Sequence, residues 1–72
     1  MIFYFRPDRF AAVIRAAREA RGWSLDSLAT RIEISKTHLW QIEKGKSIPS
    51  VAILARLCKA FELRADYLLF DE

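Results

Sequence analysis

Apolar residues along the chain recur at intervals of three and four, the period of helices buried on one side, and helix punctuation divides the pattern into about five segments. The first is expected from Pro7 or Asp8 to Arg21, with a stripe of Phe10, Val13, Ile14 and Ala17 and a stop at Gly22. Ser24 then caps a short second helix in which Leu25, Leu28, Ala29 and Ile32 repeat the spacing and Asp26 sits near the positive end of the helix dipole. Glu33 and Ile34 make a turn, and Ser35 caps a third helix that stops at Lys44 before Gly45. This third stripe is narrow, only Leu39 and Ile42, so most of the helix is expected to face outward. After Lys46 to Pro49, Ser50 caps a fourth helix whose apolar residues Val51, Ile53, Leu54, Leu57, Cys58 and Phe61 spread over more than one face, leaving one for a partner. A last short helix is expected over 65–70. Strand-like alternation competes only at residues 1–5.

A chain of 72 residues holds one domain with a small core, so residues 1–72 are read as a single all-α bundle without room for a second catalytic or ligand domain. Residues 1–6 form an apolar N-terminal segment, too short for a signal-peptide core or a membrane span before Arg6, Pro7, Asp8 and Arg9. The expectation is a cytoplasmic protein without a membrane contact. Cys58 is the single cysteine, which excludes a disulfide framework and a cysteine-rich zinc site, and His38 has no second ligand at metal spacing. Cys58 also has no visible base beside it and reads as packing. With no catalytic set, metal or cofactor implied, the chain reads as a non-enzyme. The net charge of +3 has the sign of a polyanion binder at modest magnitude. Arg6, Arg9, Arg15, Arg18 and Arg21 give the first helix a positive cast that Asp8 and Glu19 dilute.

Two short helices joined by a tight turn, the second poor in apolar surface and rich in hydrogen-bonding side chains, make the pattern of a helix offered to a major groove. Around Leu39 and Ile42 stand Lys36, Thr37, His38, Trp40, Gln41 and Lys44. Lysine donates to guanine O6 and N7, glutamine pairs in two directions with adenine N6 and N7, and the threonine methyl meets a thymine methyl. Trp40, a large ring on the outward side of a short helix, calls for cover by protein or by nucleic acid.

The stretches Ile14 to Ser24 (IRAAREARGWS), Leu28 with Ala29, Ile34 to Gly45 (ISKTHLWQIEKG), Pro49 with Ser50, and Leu54 stand in a set order and spacing. In that arrangement the chain resembles the Cro and lambda-repressor type helix-turn-helix family of phage repressors, restriction-modification controllers and antitoxins. The resemblance runs from Phe10 to Leu69. It implies a compact helical domain that binds double-stranded DNA, with Lys36, Thr37, Trp40 and Gln41 at the base edges and Ser24, Ser35, Lys44 and Lys46 on phosphates. It further implies that Arg18 pairs with Glu43. Two departures stand out: Leu25 replaces the glutamine that usually fixes a phosphate at the start of the second helix, so that contact is either lost or passed to Ser24 and the free amides there. Glu33 and Glu62 stand where glycine is common, which in a left-handed backbone strains each by about 1 kcal/mol.

The implied regulator is a homodimer on a two-fold operator, with residues 64–72 as the dimerisation element and Tyr67, Leu68 and Phe70 at the interface, since the apolar termini exceed what one small core covers. A protein-interaction module on the same fold, an antitoxin or regulator subunit gripping a protein partner through those termini, is the rival. An RNA-associated helical protein calls for a denser basic surface.

Overall fold

The computed structural model describes residues 7–64. It contains α1 (Pro7–Ala20), α2 (Leu25–Arg31), α3 (Lys36–Glu43) and α4 (Val51–Phe61). Four helices among the described residues replace the expectation of about five; the fifth, expected over 65–70, lies outside them, as do residues 1–6 and Tyr67, Leu68 and Phe70.

The helices begin and end on local chemistry. Ser24, Ser35 and Ser50 each have an extended backbone, and their hydroxyls accept from the amides of Ser27, His38 and Ile53. Each cap satisfies one of the amide donors that the first helical turn leaves unpaired. All four helices end in one way. The amides of Trp23, Ile34, Lys46 and Leu63 reach back five residues to the carbonyls of Arg18, Ala29, Gln41 and Cys58, and the residue before each of these donors is left-handed. Those residues are Gly22 (φ 67), Glu33 (φ 60), Gly45 (φ 73) and Glu62 (φ 57). This closure is the Schellman motif. It also explains why α1 stops at Ala20 instead of Arg21: the Arg21 amide bonds only three residues back, to Arg18, tightening the last turn.

Glu33 and Glu62 thus adopt a conformation that a Cβ disfavours. Glu33→Gly and Glu62→Gly are each expected to raise stability by up to about 1 kcal/mol, less the larger backbone freedom that glycine has when unfolded. Urea unfolding of the two variants, with an unchanged slope and a higher midpoint, checks this.

One side of every helix closes a single core. Phe10, Ile14, Leu28, Ile32, Leu39, Ile42, Leu57 and Phe61 are fully buried, with Ala11, Ala29 and Ile53 filling between them. Phe10 and Ile14 come from the α1 stripe, while its other members, Val13 and Ala17, are only partly buried at the edge of the cluster. Helix α4 divides its apolar residues: Ile53, Leu57 and Phe61 are in the core, Leu54 and Cys58 pack on its margin, and Val51 is 83% exposed. Burial pushes the Cys58 thiol above its ordinary pKa, which keeps it protonated and a poor nucleophile. No helix among the described residues is long and apolar enough to cross a membrane.

Candidate nucleic-acid interface

Helix α3 is held by three inward residues, Leu39, Ile42 and Glu43. Positions 36, 37, 40, 41 and 44 therefore fall together on the opposite face, because residues three and four apart are neighbours on a helix. Lys36, Thr37, Trp40, Gln41 and Lys44 are all exposed, and Lys46 follows in the turn, also exposed. His38, between the two faces, is half-buried.

Glu43 is only 4% exposed, and a buried carboxylate needs partners. Arg18 of α1 supplies them side-on: its Nε donates to Glu43 Oε2 at 2.8 Å and a terminal nitrogen donates to Oε1 at 3.1 Å. The other terminal nitrogen donates to the Trp23 carbonyl at 2.9 Å. The hydrogen bond to Glu43 holds the guanidinium above its ordinary pKa, against the opposing effect of desolvation. One side chain thereby fixes α3 to α1 and to the turn that leads into α2.

The outward face has two electrostatic ends. At its start, Lys36 Nζ lies 3.6 Å from Asp26 Oδ2 of α2, both side chains being solvent-exposed. At its end, the ammonium groups of Lys44 and Lys46 stand over the Trp40 ring, 5.9 and 5.2 Å from its centroid. No acid is paired with Lys44 or Lys46 among the described residues, so the net positive potential collects at the end of α3 and in the turn after it. Trp40 is 40% exposed and lies between these ends. Ser24 and Ser35 are exposed at the starts of α2 and α3; their oxygens accept from the backbone, and each hydroxyl retains a proton to donate.

A basic and aromatic cluster away from this face has no counterpart in the sequence expectations. Trp23 and Phe61 stack with ring centroids 5.8 Å apart, Arg31 lies 4.0 Å above Trp23, and Arg21 lies 5.0 Å above Phe61. Arg21 also donates to the Phe61 carbonyl at 2.8 Å, and Arg56 donates to the Ile32 carbonyl at 3.2 Å. These arginines close the ends of α4 and α2, where orphan carbonyls and the negative end of the dipole attract cations. Much of the positive charge is accordingly structural. Only the position of Trp23, just after Gly22, hinted at this; its partner Phe61 is remote in sequence.

The geometry is that of two helices joined by a tight turn with the second presented outward, and a family model described as a helix-turn-helix domain matches residues 9–68. The chain belongs to the helix-turn-helix domain family. Among relatives of this helix-turn-helix domain, the transcriptional regulator SutR of Escherichia coli K12 is 40% identical over 47 residues, 65% of this chain and 26% of SutR. The transcriptional regulator ClgR of Mycobacterium tuberculosis is 32% identical over 59 residues, 82% of this chain and 53% of ClgR. The chain thus spans about half or less of these relatives' own length. Among solved structures, SinR, described as the master regulator for biofilm formation and captured in complex with DNA, superposes with a TM-score of 0.75 at 25% identity. That match covers 82% of this chain and 95% of SinR.

Proposed function

We propose that this helix-turn-helix domain binds double-stranded DNA in a sequence-specific manner as a transcriptional regulator, with α3 in the major groove. The observation that carries the proposal is the one-sided burial of α3. Leu39, Ile42 and Glu43 hold it, while Lys36, Thr37, Trp40, Gln41 and Lys44 form one exposed face. In the groove, Lys36, Thr37, Trp40 and Gln41 meet base edges, Gln41 being suited to adenine and Lys36 to guanine. Lys44 and Lys46, with the hydroxyls of Ser24 and Ser35, hold phosphates on either side. The regulatory names of SutR and ClgR and the DNA complex of SinR support this direction.

The regulator works as a homodimer on a two-fold operator and represses by occlusion in the cytoplasm, each copy placing α3 in one major groove. Tyr67, Leu68 and Phe70 contribute the dimer contact, and the exposed Val51 and Ile48 provide further apolar surface. Selection from a random duplex library tests the proposal, with binding of the winner measured against salt and its stoichiometry measured by sedimentation. A two-fold consensus bound by two copies is expected, with log affinity falling linearly in log salt. A library that yields no preferred sequence, with a chain that sediments with a protein partner, overturns the proposal in favour of an interaction module.

A further inference from the structure

The start of the exposed face of α3 is not polar throughout. Leu25, the first residue of α2, is half-buried and lies beside Lys36, Thr37 and Trp40; these four residues line one open depression of about 300 Å³. Leu25 and Trp40 are large and apolar, and Thr37 carries a methyl group. The single cation at the rim, Lys36, is 3.6 Å from the Asp26 carboxylate, so this end of the face is nearly charge-balanced. The unbalanced positive charge stands at the other end, where Lys44 and Lys46 lie over Trp40.

We infer that the Leu25, Thr37 and Trp40 depression receives the C5-methyl group of a pyrimidine, either thymine or 5-methylcytosine. The inference rests on the DNA-binding proposal above and makes it more specific. Base edges in the major groove present hydrogen-bond donors and acceptors, and the apolar group among them is the C5-methyl. An apolar depression on a helix lying in that groove therefore has one base-borne partner that does not leave a polar atom unpaired. The leucine at the start of α2 gives up a polar contact to the backbone and in exchange walls this depression.

The test uses the unaltered protein and the duplex preferred in the library selection, with each thymine replaced in turn by uracil, which removes only the methyl group. At one position per half-site affinity is expected to fall about fourfold, the equivalent of one methyl group taken from an apolar contact. At that same position, 5-methylcytosine opposite guanine is expected to bind better than cytosine by a similar factor. A response to thymine alone assigns the depression to thymine, and a matching response to 5-methylcytosine makes it a reader of the methyl group from either source. Leu25→Gln is expected to bring the thymine-to-uracil ratio close to one, whatever it does to overall affinity. The inference is overturned if no thymine responds to loss of its methyl group, or if the ratio persists unchanged in both Leu25→Gln and Trp40→Ala. A library with no preferred duplex removes the DNA-binding proposal itself, an outcome distinct from a preferred duplex indifferent to methyl groups.

Discussion

Arg18→Met is expected to destabilise the domain by about 3 to 5 kcal/mol, because it leaves the Glu43 carboxylate buried without a counter-charge. The carboxylate is 4% exposed and receives both of its Arg18 hydrogen bonds from that one guanidinium. Small domains have only about 5 to 15 kcal/mol in total, so the variant is expected to unfold at a much lower urea concentration. Arg18→Lys is also expected to weaken the domain. A single ammonium keeps the charge but cannot reproduce the planar fork that serves both Glu43 oxygens and the Trp23 carbonyl. The double variant Arg18→Met with Glu43→Leu is expected to recover much of the loss, since apolar replacement of a whole buried pair is often neutral. The arginine pKa is raised, so its contribution is complete below the ordinary arginine value and is lost only as pH rises through the higher one. Stability is accordingly indifferent to moderately alkaline pH on this account. An Arg18→Met protein with the parent's urea midpoint removes the pair from the list of what holds α3 in place.

Gln41→Ala and Lys46→Ala are expected to impair DNA binding in different ways. Both residues are exposed, so neither truncation disturbs the core. Gln41 projects from the outward face of α3, where its amide both donates and accepts, as adenine requires. Removing it is expected to weaken binding to the preferred operator by about 1 to 3 kcal/mol per half-site and to leave binding to random duplex nearly unchanged. Lys46 follows α3, with its ammonium 5.2 Å from the Trp40 centroid, on the side where positive charge is unbalanced. Removing it is expected to weaken binding to every duplex and to reduce the slope of log affinity against log salt by about one unit. Titrations of both variants on operator and random DNA at several salt concentrations check the contrast. Equal losses on both duplexes for Gln41→Ala, with an unaltered salt slope for Lys46→Ala, remove α3 from the groove.

The positions of α1 to α4 were legible in the order of residues, because each boundary is set by neighbours along the chain. Ser24, Ser35 and Ser50 cap helices through amides three residues away, and Gly22 and Gly45 end them through φ values open to glycine. The narrow stripe of Leu39 and Ile42 likewise announced that α3 would turn most of its surface outward, since the period of a helix ties spacing to direction. That Arg18 and Glu43 would meet came from family resemblance, and the side-on geometry with its third bond to Trp23 came only from packing. Which charges remain available to a ligand depends on how the helices pack. Lys36 and Asp26 are brought together from different helices, and Arg21 and Arg56 are drawn to the carbonyls of Phe61 and Ile32, 40 and 24 residues away. The same holds for Leu25, which in sequence is one apolar residue of a helical stripe and in the fold is a wall beside Trp40. Local patterns specify elements because capping and periodicity act over a turn or two, whereas the partner of a charge or of an exposed ring depends on how the helices pack.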